Sequence, residues 1–241
     1  MEWLDYLRWG SQGWGDELLA GFSVTVSLAC ATLPLGLGLG MLTAAALIRS
    51  GILHHCAKSY TTLMRGLPEL LTLFVIYNGL SMLLNAVYHA YDPAAGFVTL
   101  SPFSAGVLAL GLVFGAFAAE VISGAYLALD KGPREAGMAL GMQHWQILLL
   151  IEMPSLIRLA LPGLGNLWLN LIKDTALVSV IALNDLMRVS TVAVGATRKP
   201  FFFFLLVCLL YWLICVTSGQ VLAWLERKTQ HGYTASRQEI Q

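Results

Sequence analysis

The sequence predicts an all-helical integral membrane protein with five spanning helices. Of its 241 residues, 57% are hydrophobic and only 12% charged, the mean hydropathy is +0.71, and the apolar residues gather into five stretches bracketed by charges. Those stretches are Leu18 to Ile48, Leu70 to Tyr91, Phe103 to Ala119, Leu159 to Ile172 with a continuation past Lys173 and Asp174, and Phe201 to Leu225. A helix rising ~1.5 Å per residue needs ~20 residues to cross ~30 Å of hydrocarbon, which each stretch meets or approaches if the third and fourth carry intramembrane charges. Five crossings put the termini on opposite sides. With the N-terminus outside, the inner side holds nine basic residues (Arg49, Lys58, Arg65, Lys131, Arg134, Arg158, Arg227, Lys228 and Arg237) against four outside (Arg8, Arg188, Arg198 and Lys199). Positive charge favours the cytoplasm, so the C-terminus is expected there.

Residues 1–17 carry Glu2, Asp5, Asp16 and Glu17 with Trp3, Trp9 and Trp14, and no basic region ahead of an apolar core. That composition fits an interfacial segment outside the membrane rather than a cleaved signal peptide. Residues 18–228 form the transmembrane domain and 229–241 a cytoplasmic tail. The first span contains Pro34 followed by Gly36, Gly38 and Gly40. With no strand before them and no acidic partner ~20 residues later, these glycines read as close helix packing and not as a dinucleotide loop. The second span opens at Met64 to Glu69, where Pro68 fixes a bend and withholds a backbone donor. Tyr88 to Pro102 is an irregular outer loop, and Leu161 to Asn166, with Pro162, resets the chain before the fourth span. Cys30, Cys56, Cys208 and Cys215 show no paired spacing, so packing is expected rather than a metal or a disulfide.

No GxxxxGK[ST], HExxH or GxSxG string occurs in the chain. The energy for any transport must therefore come from a partner or an ion gradient, and no enzymatic activity of its own is expected.

Two groups of residues remain as candidates for function. Glu135, Ala136, Gly137, Ala139, Leu140 and Gly141 make a short small-residue helix between the third and fourth spans, followed after nine intervening residues by Ile151 and, after two more, by Pro154. A helix beginning near Pro133 would put Ala136, Ala139 and Leu140 on one face and Glu135 in its first turn, where a carboxylate complements the helix dipole. Glu69, Glu120, Lys173 and Asp174 form the second group, because a charge at the bilayer centre costs ~2.5–3.5 kcal/mol and so marks a site or a pair. Counted along the spans, Glu69 and Glu120 share the cytoplasmic half and Lys173 with Asp174 lies deeper toward the outside. Structural ion pairs, Glu120 with Arg65 among them, are equally open readings.

The loop resembles the Glu-Ala-Ala, three residues, Gly, nine residues, Ile, two residues, Pro signature of the permease subunits of ATP-binding cassette importers, with Gly137 standing for the second Ala. Arg65 to Leu71, Ala119-Glu120 with Gly124, Ala160 to Asn166 and Leu171 to Ser179 are similar to the polar amino-acid uptake permeases, those for arginine, for histidine, lysine and ornithine, and for opines. The resemblance covers Leu18 to Arg227. It implies a type I importer permease fold of five spans, with residues 135–141, Ile151 and Pro154 as a cytoplasmic coupling helix that docks on an ATPase. It adds Thr175 to a substrate pathway of Glu69, Glu120, Lys173 and Asp174. Implied partners are two ATPase subunits that hold ATP and Mg, a second homologous permease subunit and a periplasmic binding protein; this chain binds no cofactor itself. Location in the bacterial inner membrane, with a periplasmic N-terminus, follows. Ser123 departs from the pattern, since many relatives have Arg three residues after the Glu at 120. An ion-driven secondary transporter is the alternative, and it leaves the docking loop unused.

Overall fold

Nine α-helical stretches among the described residues would be too many spans for five stretches of apolar sequence, and the computed structural model, which describes residues 6–10, 13–91, 96–97 and 99–230, shows how the two agree. α1 (Gly15–Leu47), α3 (Glu69–Tyr91), α4 (Pro102–Leu127) and a final helix (Pro200–Gln230) are four of the spans. The other runs from His144 to Ile181 in pieces. α2 (Ile52–Gly66), the loop helix α5 (Lys131–Ala139) and a short apolar helix (Leu186–Thr197) connect them. No strand occurs among the described residues. Glu2, Trp3, Asp5, most of the tail and residues 92–95 of the outer loop lie outside those described.

α4 is the central helix: 61% of its apolar window is buried, against 11–33% in the other spans. Its composition explains why. Gly106, Gly111 and Gly115 alternate with Ala105, Ala109, Ala116, Ala118 and Ala119, so neighbouring helices approach the backbone closely. α1 uses the opening. A Cβ on Gly36 would lie 2.5 Å from Phe114, one on Gly40 2.8 Å from Ala118, and one on Gly111 2.8 Å from Leu35. Gly38, on the other face, meets nothing. Two of the three glycines in the string are therefore packing devices.

α2 is amphipathic and lies against the α1–α4 pair, burying Ala57 and Thr61. The Tyr60 hydroxyl donates to the Leu112 carbonyl at 2.6 Å. α2 ends at Gly66, Leu67 is extended (φ −94°, ψ 142°) and α3 begins at Glu69, so Pro68 breaks the chain as the sequence predicts. Pro162 does not. It sits inside α7 (Met153–Asp174), which runs without interruption through residues 161–166, where a reset is expected from sequence. At the N-terminal side α7 is preceded by the single turn α6 (His144–Ile147) and a π-helical turn, Leu148–Glu152. At its other end a 3-10 turn, Thr175–Ile181, leads to α8 (Leu186–Thr197), capped by the fully buried Asp185, whose carboxylate accepts from the Met187 and Arg188 amides. α9 (Pro200–Gln230) closes the bundle.

An apolar cluster marks one end and a hydrogen bond the other. Leu18, Leu186, Ala193, Phe203 and Val207 gather the starts of α1 and α9 around α8. At the opposite end the Arg158 guanidinium donates to the Thr229 carbonyl at 3.2 Å, tying early α7 to late α9 beside the loop helix. Much large apolar surface stays bare on the single chain, including Met82, Leu83, Val87, Leu209, Trp212 and Trp224. Helices long and apolar enough to cross a membrane have no reason to hide it from hydrocarbon. Cys30, Cys56 and Cys208 are free and exposed, so the packing role expected of them is not met within this chain.

Candidate functional site

The loop helix is built by three local devices. Asp130 caps α5, its side chain accepting from the Gly132 amide at 3.1 Å, so the helix starts at Lys131, before the expected Pro133. Glu135 consequently falls in the second turn rather than the first. The helix ends in a Schellman motif: the Gly141 amide donates to the Met138 carbonyl at 3.0 Å and the Met142 amide to Gly137 at 3.1 Å, with Gly141 left-handed at φ +77°. Gln143 and Gln146 then form a capping box that starts α6, and the Gln143 side chain also accepts from the Trp145 indole at 2.7 Å.

Gly137 is the one buried residue of α5. A Cβ there would lie 3.0 Å from Ile151 Cδ1 and 3.4 Å from Ile147 Cγ1. The nine-residue spacing thus has a mechanical meaning: it brings Ile151, with Ile147 one turn earlier, under Gly137 so that the loop helix rests on its own span. Gly137 is a contact within the chain and not a docking surface. The opposite face is bare. Glu135, Ala136 and Ala139 are exposed, and Leu140 is 82% exposed. Pro154 is also exposed, in the first turn of α7. An ion pair that single-sequence reading misses, Arg134 to Glu152 at 3.5 Å, braces the helix laterally.

A second feature lies in the bundle. Glu69 at the start of α3 and Asp174 at the end of α7 line one cavity of about 70 Å³ with Asn170, Phe114 and Phe117, so the two carboxylates share one small space. Sequence counting separates these two residues by depth; the break at Pro68 and the long α7 bring them together. The cavity has room for a few waters and not for an amino acid. Lys173 is exposed and does not line the cavity. Thr175 is fully buried, donating to the Ile172 carbonyl at 2.6 Å, and does not line the cavity. Glu120 pairs with Arg65 at 3.2 Å, the structural reading held open above, and the Ser123 hydroxyl donates to the Glu120 carbonyl. Leu110, Val113, Phe114 and Phe117 are one stripe of α4, and Glu120 is its next step. That spacing of three and four was a legible signal.

Comparison with known proteins gives consistent results. Residues 36–231 match the family described as binding-protein-dependent transport system inner membrane component. The chain is 41% identical over 233 residues to the octopine transport system permease protein OccQ of Rhizobium radiobacter, covering 96% of this chain and 98% of that one. It is 35% identical over 221 residues to the histidine/lysine/arginine/ornithine transport system permease protein HisQ of Escherichia coli K12, covering 91% and 96%. Among solved structures, an amino acid ABC transporter crystallised with histidines superimposes with a TM-score of 0.76 at 30% identity, over 89% of this chain and 94% of that one.

Proposed function

The chain belongs to the family of binding-protein-dependent transport system inner membrane components, and on that premise we propose that it is the permease subunit of an ATP-binding cassette importer for polar amino acids, cationic ones or opines in particular. The observation that carries this reading is the loop helix, whose inner face is seated on the chain's own span through Gly137 while its outer face is bare. Such a helix can take a push and pass it to α7 through Ile147 and Ile151. The push is supplied by two ATPase subunits closing around ATP and Mg, none of which this chain holds itself. Glu135, Ala136, Ala139, Leu140 and Gly141 form the coupling surface, with Ile151 and Pro154 receiving it. A second, homologous permease chain supplies the other half of the pathway, because the cavity between Glu69 and Asp174 is too small for the cargo alone. A periplasmic binding protein delivers substrate at the end where α8 lies, with the N-terminus periplasmic and the C-terminus cytoplasmic.

The relatives' substrates and the carboxyl pair support a cationic cargo. Two carboxylates lining one small cavity repel, and a guanidinium or ammonium between them removes the repulsion in a site partly shielded from water. Glu120 and, less directly, Lys173 and Thr175 border this path. The test is ATP turnover and uptake by the purified complex in vesicles, with binding protein and candidate amino acids. Arginine, ornithine or an opine is expected to raise both, and Glu69→Gln or Asp174→Asn is expected to lower cation uptake at least tenfold. Uptake unchanged in both variants would remove these residues from the path.

A further inference from the structure

Arg65 stands in the last turn of α2, immediately before the extended Leu67 and Pro68. Its guanidinium reaches Glu120 at 3.2 Å and lies 5.6 Å from the centre of the Phe117 ring. Phe117 is itself a wall of the Glu69–Asp174 cavity. From the α3 side toward the loop-helix end, the order is therefore carboxyl pair, aromatic ring, ion pair, ranged along the stripe of α4 that carries Phe117 and Glu120. Both side chains of the pair are about two-fifths exposed, at 43% and 42%.

We infer that Arg65 and Glu120 form an inner latch on the transport path, opened by exchange of partners with the substrate. This rests on the function proposed above. An amino acid with a cationic side chain carries the same two groups as the latch. Its guanidinium or ammonium replaces Arg65 on Glu120, and its carboxylate meets Arg65, which the neighbouring Phe117 face holds meanwhile. Three features suit that exchange. A half-exposed ion pair contributes little stability, so a competing ion can open it. Arg65 stands beside the break at Leu67 and Pro68, so no continuous helix ties its end of α2 rigidly to α3. At residue 123, moreover, Ser carries no charge to compete for Glu120, and its hydroxyl is occupied by the Glu120 carbonyl.

The experiment uses the whole complex in vesicles loaded with labelled citrulline, without ATP, and measures leak. Arg65→Gln and Glu120→Gln are each expected to raise leak at least fivefold, and the double neutral variant to leak no more than the worse single. The reversed pair, Arg65→Glu with Glu120→Arg, is expected to return within twofold of the unmodified complex. Singles that leak no more than the unmodified complex, a double whose leak is the product of the singles, or a reversed pair that assembles and still leaks overturns the latch. A measurement on the unmodified complex guards against misfolded variants: methylguanidinium chloride should speed citrulline leak at least twofold over sodium chloride of equal ionic strength, and equal leak in the two salts also overturns it. Citrulline leak reads the latch whatever the cargo, whereas failure of ATP-driven uptake for every cationic amino acid and opine defeats the function proposed above and leaves the latch result standing.

Discussion

Gly137 and Gly141 lie four residues apart, one inside α5 and the other just past its end, and are needed for different reasons. At Gly141 the backbone is left-handed and a Cβ would meet nothing, so any side chain there costs roughly 1–2 kcal/mol in conformation without a clash. Gly141→Val is expected to unwind the helix end, lowering ATP-driven uptake at least tenfold while the chain still inserts and assembles. At Gly137 the limit is space. Gly137→Ala asks Ile151 to shift by a few tenths of an ångström and regains about 1 kcal/mol of helix propensity, so uptake should change less than twofold. Gly137→Leu cannot be absorbed and should lift the helix off Ile147 and Ile151, abolishing uptake. Full uptake in both Gly141→Val and Gly137→Leu would separate this loop from coupling. The motif and its spacing were readable in the sequence; which glycine faces inward was not, because that depends on where α5 starts, and Asp130 rather than Pro133 sets the start. The grouping of Glu69 with Asp174 was likewise hidden, since depth counted along a span assumes straight helices.

At the scale of elements, the seam between α1 and α4 carries the packing. Gly40→Val would force a branched side chain onto Ala118, whose Cβ is fixed to the backbone and cannot turn aside. A drop of several degrees in the thermal midpoint of the purified complex is expected. Gly38→Val, on the open face of the same helix, is the control and should shift it by less than half as much; equal losses would mean helix propensity, not the seam, was measured. All five spans were legible from hydropathy, since runs of apolar residues have no other use at this length. The prolines were legible only in part. Pro68 follows Leu67 in extended backbone and breaks the chain, whereas Pro162 and Pro34 are absorbed within longer helices, because neighbouring packing holds a membrane helix together across a missing hydrogen bond.

For the whole molecule, the two ends of the bundle are unlike. One gathers α8 and the starts of α1 and α9; the other carries the loop helix, the Arg158 tie to α9 and most of the basic residues of the inner count. The account requires the loop-helix end to face the cytoplasm and to be held there by an ATPase subunit. Leu140, 82% exposed at the end of the loop helix, is the place to ask. A single cysteine at Leu140, in a chain whose four native cysteines are replaced, is treated with a short bifunctional cross-linker in sealed native vesicles. The account predicts a cross-link to the ATPase subunit, a yield that changes when ATP is added, and protection from a membrane-impermeant thiol reagent applied outside; labelling from outside, or the absence of any cross-link to an ATPase in an active complex, would contradict it.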